Sequence, residues 1–263
     1  VWCSGIIAER IEWRALANIM KISRTLGRFS LDRTIIGLLL SAAALLAGRA
    51  WLEENPQHNP WAPLSLDHPP GWATQRKLAA LRDDPAECRA VLERSGVAFS
   101  ALDPAGEGEC RREDRTILTE AMLSPRRPVS TCAVAAGVEL WLRQSVQPAA
   151  EDLLGSPLAR IEHFGTFSCR RIYGSESGNW SEHATGNAID IAAFVLEDGR
   201  RISVRSDWEG SEEEGGRDAA FLHQVRDAAC GVFGTVLSPD YNAAHADHFH
   251  LDQESRGFGT VCR

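Results

Sequence analysis

Three observations in the sequence together predict a disulfide-braced globular domain of α+β fold, the first of them giving the fold class. Helical and hairpin patterns succeed one another without the strand–helix–strand alternation of a parallel sheet. Six cysteines (Cys88, Cys110, Cys132, Cys169, Cys230 and Cys262) are widely spaced, and none forms a C-x-x-C pair. They read as three disulfides made in an oxidising compartment, not as a zinc knuckle or a dithiol redox motif. An apolar fraction of 44% and a charged fraction of 24% suit an ordinary globular core.

The elements follow in chain order. Residues 1–19 lie upstream of an export signal, and Met20 is a plausible start, so they read as an upstream annotation extension holding the lone Cys3. From Met20 the chain places Lys21, Arg24, Arg28 and Arg33 ahead of residues 35–48, which carry no charge. This is a signal over residues 20–52, either a cleaved signal peptide or an anchor with its N-terminus inside. Ala42 and Ala44 lie within the apolar run, and Arg49 stands where cleavage is expected, which favours the anchor. Residues 53–72 are rich in Pro and polar residues and read as an extended linker with solvated His58 and His68.

The domain is expected over residues 73–263. Asp84 and Pro85 divide residues 73–96 into two short helices, with Gly96 closing the second. Residues 131–146 have apolar side chains at helical spacing, starting at Cys132. Residues 159–169 alternate and predict a strand ending at Cys169, followed by a loop over "GSESGN". Residues 188–204 predict a hairpin turning at Asp198-Gly199. An acidic loop over 209–216, a helix over 217–233 with His223 on its packed or flanking surface, and short strands at "TVLS" and "HFHLD" complete the chain.

Net charge is −8, nearly all the basic residues are Arg, and no extended basic stripe is present. Nucleic acid is therefore not an expected partner, because phosphate binding needs clustered cations.

Two stretches carry chemistry. "SEHATGNAID" sets His183 and Asp190 seven apart, and "HADHFH" follows about sixty residues on. Half of the chain's eight histidines lie in them: His183, His245, His248 and His250. A hydrolytic zinc site takes three N or O ligands and keeps one position open. On a strand His248 and His250 face the same side, while Phe249 faces the core. Gly186 and Ala188 are small enough to let the backbone pass close to a metal or substrate. Asp247, His245 and Asp252 are candidate partners for the far ring nitrogens of ligand histidines.

"SEHATGNAID" matches S-x-H-x-x-G-x-A-x-D at every fixed position. With "HFH" it resembles the lysostaphin, D-Ala-D-Ala metallopeptidase and hedgehog group of zinc peptidases. Over residues 72–263 the chain resembles more closely the bacterial extensin-like C-terminal family, through "WAPLSLDHPPGWAT", "FSCRR", "SEHATGNAIDIAAF", "VLSPDYNAAHADHFHLD" and the six cysteines.

The resemblance implies a small antiparallel sheet with flanking helices, hedgehog- or D-Ala-D-Ala-peptidase-like and disulfide-braced. It implies Zn2+ held by His183, Asp190 and His250. The catalytic base would be His248 or Asp247, the latter standing where related dipeptidases have glutamate. Arg170, with Arg171 as the alternative, would contact the substrate or the oxyanion, and Ser181 would hold a substrate carboxylate or orient a ligand. The activity implied is a D,D-carboxypeptidase- or endopeptidase-like hydrolysis of a peptidoglycan stem peptide or crosslink, in a periplasmic protein held in the inner membrane. One alternative is a non-catalytic zinc-containing module that binds cell-wall peptide; another is a structural envelope protein without metal. For the disulfides, sequence order suggests Cys88–Cys110, Cys132–Cys169 and Cys230–Cys262.

Overall fold

The structure, a computed structural model, describes residues 9–210, 216–255 and 259–263. Residues 1–8 of the expected upstream extension, and residues 211–215 of the expected acidic loop, lie outside the described residues. The chain divides into two units, residues 1–54 and 55–263.

In the first unit, helix α1 spans Glu9–Glu54. Its segment Asp32–Glu54 has 23 residues and holds an 18-residue window with a mean hydropathy of 1.9 and no buried share. At 1.5 Å per residue such a segment reaches about 34 Å, long enough to cross a hydrocarbon core of about 30 Å.

The second unit does not begin at Ala73. Leu64 and Leu66, within the expected linker, are buried in the core. The Leu66 N–H donates to Ser95 Oγ at 3.2 Å, and Lys77 Nζ donates to the Pro56 carbonyl at 2.8 Å. The prolines make this stretch extended, but its two leucines give it a reason to pack.

Helices α2 (Thr74–Ala80) and α3 (Pro85–Arg94) meet at the expected break. Asp84 caps α3 by accepting the Glu87 N–H, Pro85 occupies the first turn, and Gly96 takes a φ of +63° beyond its end. Helix α4 (Cys132–Trp141) is buried on nearly every face. π-helical turns carry it on to Leu154, beyond the expected end near Val146, until Gly155 stops it at φ +69°. At Gly137 a Cβ would come within 2.6 Å of Gln253 Nε2 and 3.1 Å of the Phe233 ring, so a larger residue would make these buried side chains shift.

A small two-stranded ladder pairs β1 (Phe99–Ala101) with β2 (Thr116–Leu118). The main sheet runs β3 (Leu123–Ser124), β4 (Leu158–Gly165), β5 (Ala188–Leu196), β8 (Phe249–Asp252), β7 (Thr235–Leu237) and β9 (Val261–Cys262). Strand β6 (Arg201–Ser203) also pairs with β5, completing the expected hairpin around Asp198-Gly199. The pairings around β5 are antiparallel, and the outer pairs β3–β4 and β7–β9 are parallel. Strand β4 ends at Gly165, four residues short of Cys169: Gly165 is its last residue paired with β5 and takes a φ of +125° that turns the chain out of the ladder.

Helix α5 (Arg217–Ala229) buries Phe221, Leu222 and Val225. Phe194, Phe221, Phe233, Phe249 and Trp141 form the aromatic centre of the core. The buried Trp141 indole donates to the Val225 carbonyl at 2.8 Å, so its polar edge is satisfied.

Of the three expected disulfides, only Cys230–Cys262 is found. The others join Cys88 to Cys132 and Cys110 to Cys169. Nearness in sequence misled here: packing of α3 against α4 brings the fully buried Cys88 and Cys132 together. The Cys88–Cys132 bridge closes a separation of 44 residues. Its removal in a Cys88→Ala/Cys132→Ala variant is expected to cost about 4 kcal/mol, by loop entropy. The midpoint of urea unfolding measures it.

Candidate metal centre

Strand register builds most of the site. Asp190 on β5 lies directly opposite His250 on β8, and Ala188 lies opposite Asp252. Directly opposed residues share one face. Asp190, His250 and Asp252 therefore stand on the cleft side, while Ile189, Ile191, Phe249 and Leu251 point into the core, where all four are buried.

His183 arrives from the short 3-10 turn Glu182–Ala184. Ser181 caps this turn, its Oγ accepting the His183 N–H at 3.3 Å. Gly186 leaves the turn at φ +75°. A Cβ on Gly186 would face Val129 and Ser130, with its nearest contact at 3.6 Å. Its role is thus the left-handed conformation, not room for a metal or substrate. Ala188 is buried in the sheet. Gly186→Ala is expected to destabilise the domain by about 1–2 kcal/mol, the usual cost of αL for a side chain, read from its melting temperature.

Asn187 is fully buried and binds the motif to the rest of the domain. It donates to Glu182 at 2.5 Å and accepts from Thr131, the N-cap of α4, at 3.0 Å. Burial raises the Glu182 pKa, opposed by Asn187 and by the Arg82 charge 3.4 Å away.

Three acceptors converge. His183 Nε2 lies 3.0 Å from Asp190 Oδ1 and 3.1 Å from His250 Nδ1, and His250 Nδ1 lies 3.0 Å from the same oxygen. The far ring nitrogens fix the tautomers. His183 Nδ1 is 3.1 Å from the Thr166 carbonyl, and His250 Nε2 is 3.0 Å from Asp252 Oδ2. A carbonyl and a carboxylate only accept, so each far nitrogen donates. In the neutral rings both near nitrogens then present lone pairs to a carboxylate oxygen. Such a cluster needs a cation or a proton at its centre.

With a proton as the cation, His250 carries it. Burial disfavours that charge, but hydrogen bonds and charges from Asp190 and Asp252 push the His250 pKa up to about 9. Burial favours the neutral form of Asp190, yet His183 and His250 hold it well below the usual carboxylate range. The three ligand atoms all lie within 4.8 Å of one another, and no other group of this kind is found among the described residues. Tetrahedral bonds of about 2.0–2.2 Å set ligand atoms roughly 3.3 Å apart. The observed triangle is close to that spacing, so the residues fit a small N/O-ligated divalent ion.

The remaining candidates fall around this triangle. His248 Nε2 is 3.6 Å from Asp190 Oδ1, and its Nδ1 is 2.8 Å from Asp247 Oδ1. Phe164 meets the His248 ring edge-on at 5.8 Å. Asp247 thus stands behind His248 and does not line the cleft. His245 makes no hydrogen bond to a ligand histidine; its Nδ1 is 2.8 Å from Asn242 Oδ1. Burial, together with charges on His248, His250 and Arg170, lowers its pKa to about 4.

Arg170 is exposed and lines the cleft. Arg171 instead donates to the Gly178 carbonyl and stacks 4.4 Å over Trp180. The cleft, of about 830 Å³, falls within the size of small-ligand sites. Its wall includes Tyr173, a non-glycine residue at φ +56°, whose hydroxyl accepts from Asn242 Nδ2 at 3.0 Å. Thr166, Asn187, Tyr173 and Asn242 were not singled out from the sequence. Asn187 stood inside the motif and could have been found there. Thr166 acts through its carbonyl, which leaves no mark on sequence.

Fold and site together define a disulfide-braced α+β domain built around a buried His–Asp–His cluster suited to a cation. The chain belongs to the extensin-like protein C-terminus family, whose profile matches residues 86–263. Neither a curated protein nor a solved structure matches it. Three disulfides fit an extracytoplasmic protein, and the apolar Asp32–Glu54 helix could serve as a signal anchor.

Proposed function

We propose that the domain is a zinc-dependent peptidase of the bacterial periplasm that hydrolyses a peptide bond in peptidoglycan stem peptides or crosslinks. One observation carries the reading: two histidine lone pairs and one carboxylate oxygen converge at 3.0–3.1 Å, with a non-ligand histidine alongside. The peptidoglycan substrate rests on the motif resemblance and on the compartment the disulfides suggest. His183, Asp190 and His250 hold the metal. When bound, zinc supplies Lewis acidity, acidifying a water molecule and polarising the amide carbonyl.

The chain's own residues do the rest. Asp247 accepts from His248 Nδ1, which leaves His248 Nε2 as the basic atom on the cleft side. His248 takes the proton of the attacking water and returns it to the leaving amine. Arg170 offers a planar cation to the oxyanion or to a terminal carboxylate. Thr166 and Asp252 hold the two histidine rings by their far nitrogens, and Ser181 caps the turn that carries His183.

The test pairs two readouts on the chain purified from an oxidising compartment. Elemental mass spectrometry is expected to find about one zinc per chain, the stoichiometry of a single site. Digestion of purified muropeptides is expected to yield new amino termini. Zinc without hydrolysis would leave a cell-wall peptide-binding module, and a folded, zinc-incubated chain without zinc would overturn the reading.

A further inference from the structure

Two tryptophans at the start of the second unit are exposed to an unusual degree, Trp61 by 84% and Trp72 by 67%. A soluble surface seldom gains by showing two indoles, since each is large and mostly apolar. They do not sit on loose chain. Residues 55–62 form successive turns closed by His58 N–H to Asn55 O and Ala62 N–H to Asn59 O. The Trp61 N–H donates to Asn59 Oδ1 at 3.0 Å. The Trp72 ring stacks on His58 at 6.0 Å, and the Trp72 N–H donates to His58 Nδ1 at 3.3 Å. Gly71 packs so closely on Gln57 that a Cβ would meet its carbonyl oxygen at 2.5 Å. Both tryptophans are therefore anchored on the ordered turns at residues 55–62, through Asn59 and His58, with their rings largely in solvent.

Chain connectivity says what these rings meet. The apolar segment ends at Glu54, with Trp51 in its last turns and 49% exposed. Trp61 lies seven positions beyond Glu54, a reach of at most about 25 Å. The turns at 55–62 shorten it further. Tryptophans cluster where a membrane meets water because the ring is apolar and the indole N–H is polar.

We propose that the Trp61–Trp72 edge is a membrane-docking surface, seated in the headgroup layer of the bilayer that the Asp32–Glu54 helix enters. The proposal rests on reading that helix as a membrane span. The edge binds chiefly by its rings: Lys77 is turned inward to the Pro56 carbonyl, which leaves Arg76 as the exposed cation close to Trp72 in sequence. Docking therefore depends far less on salt and on anionic lipid content than a polybasic contact does. Its effect is to keep the domain in the layer next to the membrane.

The experiment uses the full chain in nanodiscs of zwitterionic phosphatidylcholine. Hydroxyl-radical footprinting with peptide mass spectrometry reads each tryptophan, with exposed Tyr173 as the reference in the same chain. The expected result is oxidation of Trp61 and Trp72 several-fold slower than their exposure demands, largely retained in high salt. Acyl-brominated lipid should also quench part of the tryptophan emission, and that part should fall in Trp61→Ser/Trp72→Ser. A chain inserted through residues 32–54, shown by protection of those peptides, with Trp61 and Trp72 oxidised as freely as Tyr173, would overturn the docking surface alone. A chain that leaves the discs, or is recovered cleaved before residue 55, would overturn the span and the docking surface with it.

Discussion

Asp190→Ala is expected to leave the domain folded and without zinc. The carboxylate oxygen is the corner shared by both histidines, at 3.0 Å from each near nitrogen. No other carboxylate takes its place, because Asp252 is engaged behind His250 at its far nitrogen. The fold should survive, since Asp190 stands on the cleft side of β5 while Ile189 and Ile191 hold the strand to the core. Asp252→Asn supplies the scale. Asp252 accepts from His250 at Oδ2 and from the Glu254 N–H at Oδ1. Asn can accept only one of the two, so the bond behind His250 is weakened or lost. Losing such an outer partner typically costs about 10–100-fold in metal affinity. Asp190→Ala should exceed that, taking zinc below detection after dialysis against a weak chelator. Elemental analysis of wild type, Asp252→Asn and Asp190→Ala gives three points on one axis. Equal zinc in wild type and Asp190→Ala would remove the cluster as the metal site.

The features legible in the sequence were those set by neighbours along the chain. Asp84 followed by Pro85 caps a helix whatever the fold around it, and Asp198-Gly199 turns a hairpin by its own backbone preferences. The alternation of Ile189, Asp190 and Ile191 against Phe249, His250 and Leu251 was legible for the same reason, and strand register then made it a site. Features set by distant partners were not legible. Cys88 finds Cys132 because α3 packs on α4, which no spacing rule contains. Leu64 and Leu66 look like linker residues until the groove that buries them exists. The continuation of α4 through π-helical turns has no signal that we can name in its sequence.

The site divides in the same way. The triangle of His183, Asp190 and His250 could be anticipated from residue types and motif. What holds it could be anticipated only in part. Asp252 follows His250 by two on one strand, so its place on the same face was predictable. The Thr166 carbonyl that orients His183 was not, because every residue has a carbonyl. The choice between Asp247 and His248 stayed open in the sequence, since both precede His250 by a few residues. Geometry separates them: Asp247 lies on the far side of the His248 ring from the triangle.

His248→Ala is accordingly expected to keep its zinc and lose its hydrolysis. His248 Nε2 stands 3.6 Å from Asp190 Oδ1, beyond hydrogen-bond range and outside the three-ligand cluster. Removing the ring therefore takes nothing from the three-residue cluster. It does take away the basic atom on the cleft side, and a positioned general base is typically worth 10²–10⁴-fold in rate, or about 3–5 kcal/mol of barrier. Asp247→Ala should be milder. The ring stays, braced by Phe164 at 5.8 Å, but loses the partner that fixes its tautomer. The ordering of muropeptide hydrolysis is therefore wild type above Asp247→Ala above His248→Ala, at constant zinc. A reversed order would make Asp247 the base and require the loop to bring it into the cleft. Lost zinc in His248→Ala would make His248 a ligand, and the three-residue cluster would then be the wrong description of the centre.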